Sequence, residues 1–391
     1  MALFDIEEYQ ERVRKTKVSM AEKGIDVLVV SDPANMNYLT GYDGWSFYVP
    51  QVVVLSLDDE APVWVGRGMD ANGARHTTYL SDDRIIGYAD DFVQTPLKHP
   101  MQVVADEIKR RGWGSKTIGT EMDAYYFSAK SFVELQKNLP DAKFDDANLL
   151  VSWVRIIKSA GEIEFMQKAG KIVERVMQKA IDTVAPGVRE CDAVAEIYRT
   201  QIRGTDTFGG DYTALVPMMP SGDKTSTPHL TWTDEPYQNE IAVNMELAAC
   251  HNRYHSPLAR TMYLGKNPPG KLVDTSKVVV EGCNEALDAI KPGVKCEEIE
   301  LVWRRVIARA GLEKESRIGY SMGLNYPPDW GEHTASLRPG DKTVLEPNMT
   351  FHMILGMWMD DWGFECSESF RVTDDGHETF ADFPRQLFIK E

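Results

Sequence analysis

One glutamate and one histidine stand where they could carry out nucleophilic or acid–base chemistry. Glu246 lies in a mostly apolar, strand-like segment, AVNMELAAC. Burying a carboxylate in such surroundings is costly, so we expect either a cationic partner, Arg253 or Arg260, or a raised pKa that suits a nucleophile or general base. His229 precedes this segment, and an imidazole can accept or donate a proton near neutral pH. The residue types alone leave these alternatives open.

The segment from His229 to Thr261 resembles the metal-binding region of the aminopeptidase, prolidase and creatinase superfamily. In that superfamily a histidine precedes two strands, of which the first carries D-x-G and the second D-x-x-R-T. His229 and the pair Arg260-Thr261 match this pattern, whereas the two metal-binding aspartates fall on Glu246 and Pro257. The resemblance implies that Glu246 points at the substrate and that His229 has a catalytic role.

Two later motifs of the same superfamily also lack their metal ligands. IGYSMG resembles the G-H-G-x-G turn with Tyr320 at the histidine position, and LEPNMTFHMI resembles the L-x-P-G-M-x-x-x-x-E strand with Ile354 at the glutamate position. Glu365 and Glu368 straddle the last carboxylate position, and we expect one of them to face the cleft. Divalent ions need several converging carboxylate or imidazole ligands. We therefore predict a site without a metal ion or other cofactor.

Composition excludes several classes of partner. The chain has 391 residues and a formal net charge of −17, which argues against binding to nucleic acid or an anionic membrane surface. Its five cysteines form no C-x-x-C pattern, so neither a disulfide framework nor a zinc knuckle is indicated. The amino-terminal segment lacks an apolar signal core, and no later apolar run reaches about 18 residues. These features predict a cytoplasmic protein.

The helices and strands indicated by the sequence pattern predict an α/β (α+β) fold in two domains. Residues 1–155 alternate helical and strand patterns, including a strand at Asp26 to Val30 and a hairpin of Val52–Leu57 with Pro62–Gly66. Ser159 to Glu162 has the capping-box pattern that begins a helix, which we expect to run to about Val184. The boundary is therefore predicted near residue 155, with a second domain over residues 156–391.

An internal repeat predicts the architecture of the second domain. Ala180 to Arg203 resembles Ala286 to Ala308, and both segments read as a helix, a Pro-Gly stop and a second helix. Two such units, each followed by strand-rich sequence, indicate a pseudo-two-fold domain with a cleft on its symmetry axis. This is the pita-bread architecture of the same superfamily, preceded here by a creatinase-like amino-terminal domain.

Motifs spread over both domains narrow the resemblance. LTGYDGWSFYVPQ, GRGMDANGA, EMDAYYFSA, RGTDTFGGDY, PHLTW and RYHSPLART together resemble the ectoine hydrolases. The resemblance implies metal-independent opening of the cyclic amidine of ectoine or hydroxyectoine, to an N-acetylated 2,4-diaminobutyrate. The ring carbon already carries positive charge, so no Lewis acid is needed to polarise it. Glu246 would attack that carbon or activate water, and His229 would transfer the proton that must reach the departing nitrogen.

The small zwitterionic substrate should meet both aromatic and acidic side chains. The residues predicted to contact it are Trp45, Tyr48, Tyr254, His255, Tyr320, Trp362, Glu365 and Glu368. For Tyr254, His255 and Tyr320, a place in the core or at the rim of the site is an equal alternative. The aromatic loop from Gly41 to Gln51 either packs on its own domain or covers the cleft of a neighbouring subunit, where aromatic rings can contact a cation. The second possibility predicts a homodimer.

Three other functions remain open. A metal-dependent Xaa-Pro dipeptidase would be activated by manganese or cobalt, but Pro257, Tyr320 and Ile354 argue against it. A creatinase-like amidinohydrolase also works without a metal ion, but it places a glutamate where this chain has Ala259. A pita-bread module that only binds ligands is disfavoured because His229 and Glu246 occur together.

Overall fold

The computed structural model describes residues 2–391. They fall into two compact units, one extending up to Arg155 and the other spanning Ile156–Glu391. Each unit has its own buried apolar core. Within the described residues, no helix is both long and apolar enough to cross a membrane.

The first unit is built on a six-stranded mixed sheet with the order β4-β3-β2-β1-β5-β6. Its helices are α1 (Ile6–Glu22), α2 (Pro33–Thr40), α3 (Ala71–Thr77), α4 (Pro100–Arg110), α5 (Ala129–Asn138) and α6 (Leu150–Val154). Its strands are β1 (Val27–Val30), β2 (Val52–Ser56), β3 (Val63–Arg67), β4 (Ile85–Tyr88), β5 (Thr117–Thr120) and β6 (Lys143–Asp146). The predicted strand at Asp26 to Val30 is confirmed as β1. The predicted hairpin is confirmed as well, since β2 and β3 pair antiparallel with Val52 opposite Val65.

The second unit contains two helix pairs and two antiparallel-rich sheets, with strand orders β10-β9-β11-β12-β13 and β14-β8-β7. Its helices are α7 (Ala160–Thr183), α8 (Glu190–Arg203), α9 (Gly270–Asp288) and α10 (Cys296–Arg309). Its strands are β7 (Ile241–His251), β8 (Tyr254–Leu264), β9 (Gly319–Met322), β10 (Gly331–Leu337), β11 (Thr350–Trp358), β12 (Gly363–Val372), β13 (His377–Thr379) and β14 (Phe388–Lys390).

The internal repeat corresponds to the pairs α7–α8 and α9–α10. Helix α7 begins at the predicted capping box, in which Ser159 Oγ accepts from the Glu162 amide and the Glu162 carboxylate accepts from the Ser159 amide. The first helix pair shares one apolar core with β7 and β8, and the second shares another with β11 and β12. This duplicated helix-and-sheet arrangement confirms the predicted pita-bread fold.

Alternation along β7 and β12 turns one set of side chains away from the helices. Val243, Met245 and Leu247 enter the core beneath α7 and α8, so Glu246 points to the opposite side of the sheet. The two sheets meet on that side. The Thr261 hydroxyl accepts from the Glu365 amide at 2.9 Å and donates to the Glu365 carbonyl at 3.1 Å. These bonds bring β8 and β12 together and place β7 near the face that carries Glu365.

Candidate active site

Glu246 is buried without a protein partner. Its side chain is 6% exposed, and among residues 2–391 its carboxylate makes no hydrogen bond and no ion pair. Burial, together with the smaller effect of the negative charge of Asp329, raises the pKa of Glu246 to about 7. The interpretation that Glu246 forms a structural ion pair is therefore wrong. Arg260 pairs instead with Glu368 at 2.6 Å, and the Arg253 guanidinium lies 3.8 Å from the centre of the Tyr212 ring.

Glu365 is the second buried carboxylate on this side of the sheets. It is 2% exposed, and burial raises its pKa well above the ordinary value, with the charge of Glu246 adding to the effect. Like charges in one site cannot both ionise freely. Together Glu246 and Glu365 form what we call the carboxylate site, which holds more protons at neutral pH than two exposed glutamates would.

Glu368 does not belong to the carboxylate site, which corrects its prediction as a substrate contact. It lies three residues after Glu365, so it faces the other side of β12. There its carboxylate accepts from Arg260 Nη2 at 2.6 Å and from Arg385 Nε at 2.9 Å. The Arg260 side chain is fully buried and also donates to the carbonyl oxygens of Phe383 and Pro384. Glu368 and Arg260 therefore tie the carboxyl-terminal segment to the two central strands.

Tyr320 lies next to the carboxylate site. Its ring packs against Ala248 and Trp330, and the charge of Glu246 contributes to raising its pKa well above the ordinary value, after the larger effect of burial. Its hydroxyl accepts from Trp330 Nε1 at 2.7 Å and lies 3.0 Å from His352 Nδ1. The other His352 nitrogen lies 2.8 Å from the Ser367 hydroxyl. The predicted position of Tyr320 at the site is consistent with these contacts.

Sequence reasoning missed three further groups around the site. Lys314 is buried, donates to the Gly356 carbonyl at 2.6 Å and has its pKa lowered by burial to about 8, with Glu365 opposing that shift. Asp329 accepts from the Gly331 amide and contacts the His333 imidazole at 2.6 Å. His352 could have been found, because it stands two residues before Ile354 and shares its face of β11. Lys314 and Asp329 lie in loops without a local sequence signal.

His255 and Tyr254 are structural, which corrects their prediction as substrate contacts. Both are fully buried. His255 Nε2 accepts from the Ala214 amide at 2.8 Å, and burial lowers the pKa of this imidazole to about 4. The Tyr254 hydroxyl donates to Glu162 at 2.8 Å. Both side chains therefore hold neighbouring segments in place, and neither has a polar group left to face a ligand.

The remaining predicted residues lie in more exposed places. His229 is exposed in the loop before β7. Trp362 is half-buried in the turn before β12, where it lines a separate cavity of about 190 Å³ with Lys271, Asp361 and Glu240. Trp45 and Tyr48 belong to the first unit, where they are 56% and 63% exposed. Of the eight predicted contacts, Tyr320 and Glu365 are the two whose pKa is raised by the charge of Glu246.

The donor set does not fit the two-metal centre of the superfamily. Pro257 pairs with Ala248 across β7 and β8 and has no side-chain donor atom. Tyr320 and Ile354 occupy two further ligand positions. Within the described chain, no group of three His, Cys, Asp or Glu side chains is arranged to hold a metal ion. Glu246 and Glu365 alone would leave most coordination positions of a divalent ion unfilled.

Comparisons with known proteins agree with this architecture. The profile of metallopeptidase family M24 matches residues 164–374, and that of the creatinase/prolidase N-terminal domain matches residues 12–157. The chain is 48% identical to the ectoine hydrolase of Halomonas elongata, over 99% of this chain and 98% of that protein. Among solved structures, it resembles the prolidase of Thermococcus sibiricus with a TM-score of 0.84 at 19% identity, covering 97% of this chain and 99% of the other. It also resembles the dipeptidase PepE of Mycobacterium ulcerans, with a TM-score of 0.81 at 21% identity and 99% coverage of both chains.

Proposed function

The chain belongs to metallopeptidase family M24, and on that premise we propose that it is a hydrolase that opens the cyclic amidine of ectoine without a metal ion. The similarity to an ectoine hydrolase over nearly the whole of both chains supports the substrate class. The observation that carries the mechanism is the Glu246 carboxylate, which is buried beside Glu365 and has no partner among the described residues. Such a site is suited to a compact cation.

The charge of the substrate changes the protonation of the carboxylate site. In the free protein, burial raises the pKa of both Glu246 and Glu365. An amidinium between them favours the ionised form of each. Binding would then release protons and create the nucleophile at the moment when the electrophile arrives. A neutral peptide carbonyl offers no such charge, so the site discriminates against dipeptides.

In the proposed reaction, the bond-forming step joins the substrate carbon either to Glu246 or to a water molecule. A Glu246 oxygen attacks the amidinium carbon, or withdraws a proton from a water molecule that attacks it. The electron pair of one ring C–N bond then moves to the nitrogen, which takes up a proton and leaves as an amine. In the covalent route, water hydrolyses the resulting ester-like adduct and frees Glu246. Either route gives an N-acetylated 2,4-diaminobutyrate.

Glu365 is proposed to hold the amidinium in place. Its carboxylate can accept an N–H of the substrate while Glu246 approaches the carbon. The positive charge of Lys314 opposes the rise in the pKa of Glu365. It partly offsets the negative charge of the carboxylate site when no cation is bound. The homodimer suggested by the loop carrying Trp45 and Tyr48 remains a prediction.

The first prediction concerns metal removal. Protein that has been dialysed against a chelator should open the ectoine ring as fast as untreated protein, since no three His, Cys, Asp or Glu side chains among residues 2–391 are arranged to hold a divalent ion. Ring opening is followed by proton NMR, with metal content measured in the same samples and creatine as a comparison substrate. Activity that disappears with the chelator and returns with manganese would make the metal-independent mechanism wrong.

The second prediction concerns His229, which we propose exchanges protons between the site and solvent. His229→Ala should lower kcat by about 10²-fold, because it removes a group that exchanges protons. Because the His229 imidazole is exposed, added imidazole should reach its place and restore part of the rate. His76→Ala, which removes an exposed histidine from the first unit, is the matched control and should keep full activity. Equal rates for the His229 variant and the wild type would remove His229 from the mechanism.

A further inference from the structure

A buried chain of polar groups runs from β8 to the Tyr320 hydroxyl. The Ala259 amide donates to Ser367 Oγ at 2.7 Å, and Ser367 Oγ lies 2.8 Å from His352 Nε2. His352 Nδ1 lies 3.0 Å from Tyr320 Oη, which also accepts from Trp330 Nε1 at 2.7 Å. Ser367 and His352 are fully buried, whereas Tyr320 is half-buried beside the carboxylate site. The direction of the hydrogen bonds in this chain decides what Tyr320 can do.

His352 must be neutral, so only two arrangements are possible. Burial, together with the smaller effect of the positive charge of Arg317, lowers the pKa of its imidazole to about 3. A neutral imidazole carries its single proton either on Nε2 or on Nδ1. With the proton on Nε2, Ser367 Oγ accepts two hydrogen bonds, and Tyr320 donates its hydrogen to His352. With the proton on Nδ1, Ser367 donates to His352, and His352 donates to Tyr320.

The hydrogen-bonding needs of the buried Ser367 hydroxyl favour the second arrangement, with the His352 proton on Nδ1. Across residues 2–391, Ser367 Oγ has the Ala259 amide and His352 Nε2 as its partners. If His352 donated from Nε2, the Ser367 hydrogen would be left without an acceptor in a fully buried place, which is unfavourable. With His352 protonated on Nδ1, every donor in this hydrogen-bonded series from Ala259 to Tyr320 has an acceptor except the Tyr320 hydroxyl. Of the two hydroxyl groups in the series, that of Tyr320 is the one beside the carboxylate site.

The geometry points to Tyr320 as a catalytic hydrogen-bond and proton donor, with Ser367 and His352 as positioning residues that keep its hydrogen turned toward the carboxylate site. This inference rests on the proposed hydrolysis of a cyclic amidine. With His352 protonated on Nδ1, Trp330 and His352 fill both acceptor positions of Tyr320 Oη. Tyr320 therefore cannot accept from an amidinium N–H, and it can only donate.

The group that needs such a donor is the departing ring nitrogen. When the C–N bond breaks, its electron pair becomes a lone pair on that nitrogen. The Tyr320 O–H bond then breaks, its proton forms the new N–H bond, and the phenolate oxygen is stabilised by the N–H groups of Trp330 and His352. The water molecule consumed in the hydrolysis returns a proton to Tyr320. His229, exposed in its loop, completes the exchange with solvent.

The tautomer of His352 is tested by nitrogen NMR on protein with labelled histidine. The shifts should identify His352 as protonated on Nδ1, with assignment by a His352→Gln variant. Ser367→Ala removes the hydroxyl that donates to Nε2, so the tautomer should change to Nε2–H, and Ser367→Thr should restore Nδ1–H. A wild-type His352 that carries its proton on Nε2 would overturn the inference, whatever the substrate of the protein is.

Kinetics on ectoine tests the role of Tyr320 itself. Tyr320→Phe should lower kcat by about 10²- to 10³-fold with little change in KM, and Ser367→Ala should lower kcat in the same way while Ser367→Thr retains activity. Tyr263→Phe is the matched control, since the Tyr263 hydroxyl donates to Glu240 at a distance of 2.9 Å and does not take part in the carboxylate site. Thermal melts show whether each variant is folded. A folded Tyr320→Phe protein with wild-type kcat would overturn the inference alone, whereas a wild-type protein that leaves ectoine intact would overturn both the proposed function and this role.

Discussion

Glu246→Gln should reduce the rate of ectoine ring opening by about 10⁴-fold, because the amide can neither attack the amidinium carbon nor withdraw a proton from water. The side chain keeps its size and its place on β7, so the substrate should still bind. Proton NMR of ectoine and its product measures the rate, and calorimetry measures binding. Glu235→Gln, a change at an exposed position in the loop before β7, serves as the control. Rapid turnover by Glu246→Gln would exclude Glu246 as nucleophile and as general base.

The same variant should be more stable than the wild type at alkaline pH. Burial raises the pKa of Glu246 from 4.5 to about 7, so protonation favours the folded state. This contribution is fully present below the pKa of the unfolded chain and is lost as the pH rises through about 7. Above that pH the wild type carries the cost of an unpaired buried charge, and glutamine does not.

Urea unfolding at two pH values measures this difference. At pH 8 the free energy of unfolding of Glu246→Gln should exceed that of the wild type by roughly 1–3 kcal/mol, and the gap should close toward pH 5. Wild-type activity should fall over the same interval as the pH drops, because the reaction needs the ionised carboxylate. A gap that is the same at both pH values would mean that Glu246 does not titrate in this range.

Glu365 and Glu368 should respond to substitution in opposite ways, although they are three residues apart on one strand. Glu365→Gln should lower activity by about 10²-fold and leave stability unchanged or higher, because it removes a buried carboxylate whose pKa burial raises well above the ordinary value. Glu368→Ala should lower the free energy of unfolding by about 3–5 kcal/mol, because it leaves the fully buried Arg260 without its counter-charge. At low temperature, the folded fraction of this variant should keep its kcat.

Paired measurements of urea unfolding and NMR turnover on these two variants separate the roles. The expected pattern is a stable, slow Glu365 variant and an unstable Glu368 variant that is active when folded. The opposite pattern would restore Glu368 as the glutamate that faces the substrate and would make the assignment from strand alternation wrong.

The sequence was sufficient for the architecture because its signals are local and repeated. The helix-Pro-Gly-helix units and the capping box at Ser159 depend on neighbouring residues, and they recur as α7–α8 and α9–α10. The burial of Glu246 was also predictable, since its strand is apolar, and its proposed role follows from its place relative to the Arg260-Thr261 pair in the superfamily pattern. No such signal exists for Lys314 and Asp329, which reach the site from loops only when distant segments pack together.

Errors in the predicted site come from side chains whose partners lie far away in sequence. Choosing between Glu365 and Glu368 requires knowing which face of β12 meets Thr261 and which meets Arg260, more than 100 residues earlier. His255 lies within the motif RYHSPLART, which does not show whether its side chain faces a ligand or a neighbouring segment. Its imidazole is instead bonded to the Ala214 amide, and pairing of this kind cannot be read from composition or spacing.

The two carboxylates beside Tyr320 also bear on how this branch of the family could change. In a two-metal centre, divalent charge balances several acidic ligands, whereas here the charge of Lys314 opposes the raised pKa of Glu365. Restoring one lost ligand, for example through Ile354→Glu, would add a third buried negative charge before any ion could be held. That intermediate is less stable than either end state, and several ligands would have to return together. If the proposed metal-independent mechanism holds, a single substitution of this kind should therefore not create a metal centre.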